Sequence, residues 1–409
     1  MLRTTDPNRI IKLELEDIIM NTAYIVAAYR TAGCRAGKGK FSGMRPDDLA
    51  AAAIAGLVER TGIDPVLVED VILGCAFPEA EQGWDVARVA AMRAGLPVTV
   101  PGMTVNRLCS SGLQAIALAA ERVQAGLADC IIAGGTESMT YVPLGGNKVT
   151  PNPHLVNTWP ESFMGMGMTA EVVAEKYGIT REEMDIFAAD SHQKAAAAIA
   201  AGRFVDEIIP VEVELAKLTG SKLKKTKEMV SIDDGVRGET TAASLGTLRP
   251  VFKLNGTVTA GNTSQMTDGA AAVLVASEAF VKKLGKDPAA RFVAFAVRGV
   301  APEVMGIGPI EAIPAALARA GLKQGDIGLI ELNEAFAAQS LAIVKELRLN
   351  HEIINVNGGG IALGHPLGCT GAKLTATLLS EMGKRGTKYG MVSMCIGLGM
   401  GAAGIFERI

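Results

Sequence analysis

The stretch TVNRLCSSGLQAIALAAERVQAG, residues 104–126, followed by DCIIAGG, residues 129–135, decides the fold class. It predicts a short strand, a turn, a helix and then a second strand. Leu113 and Ile116 share one apolar face of the helix, and Gly126 is of the residue type that commonly ends helices. The second strand is a continuous apolar run, which indicates burial on both faces of a sheet. This order of elements favours an α/β fold.

The same order recurs near the C-terminus. NVN at 355–357 is predicted as a short strand, CTGAKLTATLLSEMGKRG at 369–386 as a helix, and YGMVSMCIG at 389–397 as a buried strand. Each copy has a short strand ending in asparagine, a glycine-containing turn, a helix and an apolar strand. We therefore predict two related α/β halves whose strands are mostly parallel.

The remaining chain divides around these two halves. We assign residues 21–138 and 267–286 to the N-terminal half and residues 287–409 to the C-terminal half. Residues 139–266 are rich in loops and carry a charged helix and a lysine-rich segment, which indicates an inserted loop domain. Residues 1–20 precede the first strand-like run, and we predict a leader that is disordered or not native to the protein.

The composition excludes several classes of protein. The chain of 409 residues is 49% hydrophobic and 20% charged, which is ordinary for a globular protein of two or three domains. A net charge of −3 provides no basic field that would favour nucleic acid. We find no apolar run of the roughly 20 residues that span a bilayer. We therefore expect no nucleic-acid partner and no membrane span.

Cysteine usage predicts a reducing compartment. The six cysteines are scattered without CxxC spacing, which argues against a disulfide framework and against a zinc knot. The first 20 residues lack the basic and apolar regions of a secretory signal. We expect a cytoplasmic protein with reduced thiols and no bound metal.

Cys109 is the first candidate for chemistry. It stands in the turn NRLCSSG, residues 106–112, directly before the predicted helix. The positive end of the helix dipole and its free N–H groups favour the thiolate, which is the nucleophilic form of cysteine. The alternative is a buried structural cysteine, because free cysteines mostly pack as small apolar side chains.

His365 is the second candidate. Among four histidines it alone lies in a glycine-rich turn, GGGIALGHPLGCTG at 358–371. Glycines allow the backbone to approach a ligand closely, and histidine has the near-neutral pKa that a general base requires. A histidine with a purely structural role is the alternative.

Cys395 is the third candidate, because it ends a buried strand and enters a loop at the edge where α/β sheets bind ligands. Gly399 to Gly404 also match the dinucleotide pattern GxGxxG, but no helix and further strand follow them, so we reject a nucleotide site. We expect backbone N–H groups here, first that of Gly397, to face an anion as in an oxyanion hole.

Five motifs, in order, resemble the signatures of one protein family. They are NRLCSSGLQAI (106–116), AGGTESM (133–139), ELNEAFAAQ (331–339), NVNGGGIALGHPLGCTGAK (355–373) and CIGLGMGAAGIFER (395–408). From about Met20 to the C-terminus the chain resembles the thiolases, and most of all the degradative 3-ketoacyl-CoA thiolases. The resemblance implies duplicated α/β halves in an α/β/α/β/α layering, with mixed, mostly parallel sheets and an inserted loop domain.

The resemblance also implies catalytic roles. Cys109 would be the acylated nucleophile, His365 would activate it, and Cys395 would exchange the proton at the α-carbon of the substrate. Asn333 would hold a water that joins His365 in one oxyanion site. The N–H groups of Cys109 and Gly397 would form the other.

Coenzyme A would bind as a co-substrate in a groove of the loop domain, with no permanently bound cofactor and no metal. The implied residues are Arg237 at the adenine, Leu248, Ala260 and Ser264 along the pantetheine, Ser244 and Phe252 as weaker assignments, and Met166 and Phe336 at the acyl end.

The implied reaction is thiolytic cleavage of a 3-oxoacyl-CoA to acetyl-CoA and a shortened acyl-CoA, as in fatty acid β-oxidation. Biosynthetic relatives usually carry a histidine before MGxTAE, whereas this chain has Gly165 in FMGMGMTAE, residues 163–171. That difference favours longer acyl chains. The alternatives are a biosynthetic acetyl-CoA acetyltransferase, a ketoacyl synthase with two histidines, and a non-catalytic acyl-CoA-binding protein.

Two expectations concern partners and charge. The resemblance implies a homodimer or homotetramer, with a hydratase/dehydrogenase subunit as a further possible partner. A lysine cluster, residues 217–227, is either a solvated surface hairpin or a site that attracts the phosphates of coenzyme A. Its members are Lys217, Lys222, Lys224, Lys225 and Lys227.

Overall fold

The structure, a computed structural model, describes residues 21–219 and 222–409. The predicted leader, residues 1–20, lies outside the described residues. The strands are β1 (Ala23–Arg30), β2 (Cys34–Arg35), β3 (Asp70–Gly74), β4 (Gly102–Val105), β5 (Cys130–Ser138), β6 (Val211–Thr219), β7 (Lys222–Val230), β8 (Thr267–Ser277), β9 (Ala290–Gly299), β10 (Leu329–Leu332), β11 (Tyr389–Ile396) and β12 (Met400–Arg408).

The α-helices alternate with these strands. They are α1 (Pro46–Thr61), α2 (Val86–Arg93), α3 (Ser111–Gln124), α4 (Pro153–Thr158), α5 (Met166–Tyr177), α6 (Arg181–Ala200), α7 (Ala242–Gly246), α8 (Glu278–Leu284), α9 (Gly308–Ala320), α10 (Ala337–Leu347), α11 (Gly360–Leu363) and α12 (Thr370–Arg385). No helix among the described residues is long and apolar enough to cross a membrane.

One large sheet contains both halves of the chain, in the order β10-β11-β12-β9-β1-β8-β5-β3-β4, with β2 beside β8. The first half places β8 antiparallel between β1 and β5, and β5 is followed by the parallel strands β3 and β4. The second half repeats this pattern with β12 antiparallel between β9 and β11, and with β10 parallel to β11. The predicted duplication of α/β halves is confirmed.

Parallel pairing is confined to the two flanks of the sheet. The pairs β3–β4, β3–β5 and β10–β11 are parallel, whereas the pairs around β8 and β12 are antiparallel. β12 is a strand that the sequence pattern did not predict. It follows β11 after a three-residue turn in which Leu398 and Gly399 have positive φ, and strands joined so tightly must be antiparallel.

The stretch NVN at 355–357 is not a strand, contrary to the prediction. The pairing with β10 is limited to one bridge between Ile354 and Ile330. Beyond it, the side chain of Asn355 takes the place of the backbone: its Oδ1 accepts from the N–H of Leu332 at 2.8 Å, and its Nδ2 donates to the carbonyl of Leu332 at 2.7 Å. A side chain thus continues the hydrogen bonding where the backbone leaves the sheet.

The layers of the fold form where apolar faces of the helices pack against apolar faces of the sheet. Helices α3 and α12 contact each other and pack between the two half-sheets in one apolar core. Helices α1 and α2 cover the other face of the first half, and α9 and α10 cover the other face of the second. The α/β/α/β/α layering is confirmed.

A buried ion cluster joins the segment between β5 and β8 to both halves. Arg30 at the end of β1 donates to Glu207 at 2.7 Å and to both carboxylate oxygens of Asp233 at 2.8 and 2.9 Å. Thr377 on α12 donates to the same Glu207 at 2.7 Å. Although burial opposes ionisation, the guanidinium holds the pKa of Asp233 below its ordinary value. The cluster fixes the three parts of the chain relative to one another.

The lysine cluster lies on the antiparallel hairpin β6–β7. Lys225 and Lys227 form ion pairs of 2.7 Å with Glu214 and Glu212 on the neighbouring strand. The side chains of Lys217 and Lys222 lie outside the described part of the structure. The cross-strand pairs favour the surface-hairpin interpretation, because those two charges are already partnered.

Candidate active site

Two glycines bring the two predicted reactive turns together. A Cβ on Gly112 of α3 would lie 2.8 Å from the backbone N of Ala372, and one on Gly371 of α12 would lie 2.3 Å from the backbone N of Leu113. Only glycine permits such an approach of two helices. Both positions lie in the first turn of their helices, so the turn before α3 meets the turn before α12.

Cys109 lies in the first of these turns, a 3₁₀ turn at Leu108–Ser110 that precedes α3. The side chain of Ser111 holds the turn, since its Oγ accepts from Arg107 N at 2.9 Å and donates to the carbonyl of Leu108 at 2.6 Å. The N–H groups of Gly397 and of Cys109 itself hydrogen-bond to the sulfur. They are the two groups that the sequence analysis assigned to an oxyanion site.

The resting sulfur is a thiol and not the expected thiolate. Burial of the sulfur raises the pKa of Cys109 to about 11, although the N–H groups of Gly397 and Cys109 lower it. The negative charge of Glu137 adds to the rise. A helix terminus stabilises an anion, but here the loss of water outweighs it. The thiol must therefore give its proton to a base.

His365 is a base of the required kind. Its Nε2 lies 3.3 Å from Asn333 Nδ2, and its Nδ1 lies 2.6 Å from the hydroxyl of Thr370. The backbone N–H of His365 donates to Thr267 Oγ1 at 3.1 Å. Burial, aided by the positive charge of Lys373, lowers the pKa of His365 to about 3. The imidazole is thus neutral at rest, and its lowered pKa departs from the near-neutral value that the sequence analysis expected of a general base.

Asn333 follows β10 and is fully buried. Its N–H donates to the carbonyl of Ser393 on β11 at 2.9 Å, and its carbonyl accepts from Gln339 Nε2 at 3.2 Å. These bonds fix the amide beside His365. Its Oδ1 has no hydrogen-bond partner among the described residues, so the amide retains capacity to bind a polar group.

Cys395 ends β11 on the other side of the nucleophile. The strand contacts the turn that carries Cys109. Burial raises the pKa of Cys395 well above its ordinary value, and a charge on Cys109 would raise it further. A Cβ at Gly397 would lie 3.1 Å from Leu108 Cδ1 and 3.7 Å from Met166 Sδ. The structure therefore brings Cys109, Cys395 and the Gly397 N–H together.

The predicted acyl-end residues form one apolar cluster beside Cys395. Met166, at the start of α5, packs with Phe336 and Met305 in the same cluster as Cys395. The ring of Phe252 meets that of Phe336 edge to face, with centroids 6.4 Å apart. Phe252 was predicted for the coenzyme A groove, and its ring lies where that groove would reach the acyl end.

The predicted groove residues approach the site along one segment. Thr263 forms a bridge with Phe336, and Ser264 N donates to the carbonyl of Ala335 at 3.0 Å. Ala260 is exposed on the same segment, and a Cβ at the next residue, Gly261, would lie 2.6 Å from Leu248 Cδ1. Ala260, Ser264 and Leu248 are therefore close to the acyl-end cluster.

Arg237 and Ser244, the remaining residues predicted for the groove, are not part of the acyl-end cluster. Arg237 is exposed, and its backbone N–H donates to Nδ1 of the buried His192 at 3.2 Å. The hydroxyl of Ser244 accepts from Thr241 N at 3.1 Å and donates to its carbonyl at 2.8 Å, which caps α7. Ser244 is thus engaged in a helix cap, whereas the guanidinium of Arg237 faces solvent.

Two further residues support the site and were missed from the sequence. Thr370 contacts His365 as described above. Glu137 at the end of β5 accepts from the N–H groups of Ala76 at 2.7 Å and Gly368 at 2.8 Å, which ties β3 to the histidine turn. Two signals pointed to Glu137: it is a carboxylate at the end of an otherwise apolar strand, and it lies in the quoted motif AGGTESM, residues 133–139.

No group of three or more His, Cys, Asp and Glu residues in the described ranges is arranged to hold a metal ion. The six cysteines are all free. The polar groups at the site are therefore two thiols, an imidazole, an amide and two backbone N–H groups. Such a set is suited to covalent acyl transfer, with a nucleophile, a neutral base and fixed donors for a developing oxyanion.

Two protein-family descriptions match this chain. One is "Thiolase, N-terminal domain", which matches residues 23–279, and the other is "Thiolase, C-terminal domain", which matches residues 286–408. The 3-ketoacyl-CoA thiolase of Bacillus subtilis (strain 168) is 54% identical over 389 residues, covering 95% of this chain and 100% of that protein. The peroxisomal 3-ketoacyl-CoA thiolase 5 of Arabidopsis thaliana is 50% identical, covering 94% and 85%.

Solved structures are similar over nearly the whole chain. Human mitochondrial 3-ketoacyl-CoA thiolase superposes with a TM-score of 0.86 at 39% identity, covering 95% of this chain and 99% of that chain. The Bacillus anthracis acetyl-CoA acetyltransferase superposes with a TM-score of 0.87 at 39% identity, covering 96% and 100%.

Proposed function

The chain belongs to the thiolase family and is an acyltransferase, and on that premise we propose that it cleaves 3-oxoacyl-CoA by thiolysis through an acyl-Cys109 intermediate. The products are acetyl-CoA and an acyl-CoA shortened by two carbons. The proposal is supported by three contacts, two of which join the two halves of the chain. The turn with Cys109 contacts the turn that follows His365, Asn333 Nδ2 lies 3.3 Å from His365 Nε2, and the strand with Cys395 contacts the Cys109 turn.

The protonation states define the first half-reaction. The Cys109 thiol has a pKa of about 11 and the His365 imidazole has a pKa of about 3, so both groups are neutral at rest. The proton of Cys109 passes to His365 as the sulfur attacks the 3-keto carbon. The bond between the α-carbon and that carbon then breaks, and its electron pair forms the enolate of acetyl-CoA. Donors fixed around the enolate oxygen lower this barrier.

Cys395 completes that step by giving its proton to the α-carbon. The raised pKa of Cys395 keeps it protonated at neutral pH, as a proton donor must be. In the second half-reaction the thiol of coenzyme A gives its proton to the Cys395 thiolate as its sulfur attacks the acyl group. The Cys109 sulfur then leaves and takes back the proton that His365 holds. The N–H groups of Cys109 and Gly397 would stabilise the tetrahedral oxyanion, while Asn333 would hold a water beside His365.

Coenzyme A acts as a co-substrate in this proposal, and no permanently bound cofactor takes part. We place it along Leu248, Ala260 and Ser264, which lead to the acyl-end cluster. Arg237 would then lie at the adenine end, where its side chain is exposed.

A degradative preference for longer acyl chains is the finer part of the proposal. A Cβ on Gly165, at the start of α5, would meet no atom within 4 Å, so the chain leaves open space beside Met166. The rival is a biosynthetic acetyl-CoA acetyltransferase, since a relative of that name superposes equally well. Rates measured with 3-oxoacyl-CoA esters of four to twelve carbons decide: activity restricted to acetoacetyl-CoA overturns the degradative preference.

Acylation of the protein tests the reaction class. Incubation with acetyl-CoA and intact-mass measurement are expected to show one acetyl group on the unmodified protein and none on Cys109→Ala. Cys130→Ala is the matched control, because Cys130 is a buried cysteine of the apolar core under α1. Absence of acylation in the unmodified protein would favour a non-catalytic acyl-CoA-binding protein.

We also propose a homodimer formed through β4. This strand pairs with β3 and has no second neighbour among the described strands. In the connection between β3 and β4, Trp84 is 99% exposed and Val98 is 85% exposed, which is unusual for apolar side chains that stay in water. Sedimentation distinguishes monomer, dimer and the homotetramer also implied by the family.

Two further expectations stay proposals. A hydratase/dehydrogenase subunit is a proposed partner of the protein. A cytoplasmic location is also proposed, and the six free cysteines support it.

A further inference from the structure

Thr370 is placed to control the general base. It is the first residue of α12 and is 1% exposed, and its Oγ1 lies 2.6 Å from His365 Nδ1. The turn between them folds back because the N–H groups of Cys369 and Thr370 both donate to the carbonyl of Pro366, at 2.8 and 3.1 Å. The hydroxyl of Thr370 is therefore not needed to satisfy the backbone of the turn.

The partners of the imidazole determine which ring nitrogen carries the proton. Nε2 faces Asn333 Nδ2 at 3.3 Å, and an amide NH₂ group can only donate. Nε2 is therefore the acceptor, and in a neutral ring the hydrogen must be on Nδ1. That hydrogen points to the hydroxyl oxygen of Thr370. The same tautomer keeps the lone pair of the ring on Nε2, where the proton of Cys109 can replace the hydrogen bond from Asn333.

We propose that Thr370 is a positioning residue whose hydroxyl holds His365 in the Nδ1–H tautomer and so keeps Nε2 available as the base for Cys109. This inference rests on the proposed function for its effect on rate. Without the hydroxyl, a buried Nδ1–H group loses its acceptor. The tautomer with hydrogen on Nε2 then becomes competitive, because the Asn333 amide can turn its Oδ1, which has no partner among the described residues, toward Nε2. In that tautomer the ring cannot take the proton of Cys109 through Nε2.

Three variants on α12 separate this role from simple packing. Thr370→Val keeps the shape of the side chain and removes the hydroxyl, whereas Thr370→Ser keeps the hydroxyl and removes a methyl group. Thr375→Val is the matched control, because Thr375 is also buried on α12 but its hydroxyl donates to the carbonyl of Gly371 at 2.8 Å.

We expect Thr370→Val to lower the rate of Cys109 acylation and kcat about 10–100-fold, by analogy with the loss of a hydrogen-bond partner that orients a metal-binding histidine. KM should stay within about threefold, because the hydroxyl contacts no substrate in this scheme, and Thr370→Ser should recover most of the rate. Thr375→Val should stay within about twofold of the unmodified protein.

The tautomer itself is observable with ¹⁵N-labelled histidine, since the chain has four histidines and each can be assigned by substitution. The expected result is hydrogen on Nδ1 of His365 in the unmodified protein and in Thr370→Ser, with a shift toward Nε2 in Thr370→Val. An unchanged tautomer, or an unchanged kcat in Thr370→Val, overturns the inference.

Failure of the proposed function has a different signature. If the unmodified protein is not acylated at Cys109, the reaction is refuted, while the tautomer spectrum still decides whether Thr370 controls His365. If Thr370→Val does not fold, the serine variant decides: hydrogen on Nε2 there refutes the inference, and hydrogen on Nδ1 with near-normal kcat supports it.

Discussion

Adding one methyl group at Gly371 tests whether the close approach of α3 and α12 positions the reactive groups. In Gly371→Ala the new Cβ would lie 2.3 Å from the backbone N of Leu113, whereas ordinary van der Waals contact begins near 3.4 Å. The helices must therefore separate by about 1 Å, because backbone atoms of a packed helix cannot turn aside. Overpacking of this kind costs typically 1–3 kcal/mol of stability.

The catalytic consequence is expected to exceed the structural one. The separation moves the turn with Cys109 away from the turn with His365, and a misplacement of about 1 Å can lower a rate about 10²-fold. Gly383→Ala is the matched control: it lies on the exposed side of the same helix, and its Cβ would meet no atom within 4 Å. Alanine there should stabilise the helix by up to about 1 kcal/mol and leave kcat unchanged.

Initial rates of 3-oxoacyl-CoA cleavage and urea unfolding, measured on both variants, provide the readout. We expect Gly371→Ala to lose both activity and stability and Gly383→Ala to lose neither. If Gly371→Ala keeps kcat within about twofold of the unmodified protein, the close crossing does not position the reactive groups, and the account of the site is refuted.

Three further predictions follow from buried charges and from the second thiol. Arg30→Met leaves two carboxylates buried without their cation and should lower the free energy of unfolding by about 3–5 kcal/mol; an unchanged urea midpoint would contradict this. Cys395→Ala should still be acetylated at Cys109 by acetyl-CoA but should cleave 3-oxoacyl-CoA about 10²–10⁴-fold more slowly, because the α-carbon lacks its proton donor; loss of acetylation would show that Cys395 has another role. Burial and the positive charge of Arg237 lower the pKa of His192 from 6.5 to about 4. Between these pH values the unfolded chain therefore binds protons preferentially. The free energy of unfolding should fall by about 1.4 kcal/mol for each pH unit of acidification in this range. Urea titrations at pH 7 and pH 5 give the change in the free energy of unfolding between these pH values. This change should be smaller in His192→Gln than in the unmodified protein, and equal changes in the two proteins would refute the assignment.

The sequence predicted the parts of the fold that depend on local patterns. The helix after Cys109 and the apolar strands around it were recognisable from periodicity, and the repeat of that pattern indicated two halves. Cys109, His365 and Cys395 were singled out because each stands at a turn beside a predicted strand or helix. The structure brings these three residues together, while their catalytic roles remain a proposal.

Other features were not predictable because they depend on distant contacts. The antiparallel position of β12 follows from the hairpin with β11, and the side chain of Asn355 replaces a strand that the pattern had predicted. Thr370 lies in the quoted motif at residues 355–373, but nothing in that motif predicts its contact, and only the fold of the turn before it places its hydroxyl on His365.

Local sequence features were enough to predict most of the strands and helices, the family resemblance and the candidate reactive side chains, because propensity, periodicity and motif spacing are properties of neighbouring residues. The tertiary structure alone decided that the Cys109 sulfur rests as a thiol and that the imidazole beside it is neutral. Protonation depends on how much water is removed and on which charges and donors lie within a few ångströms, and both are set only when the two halves of the chain close over the site.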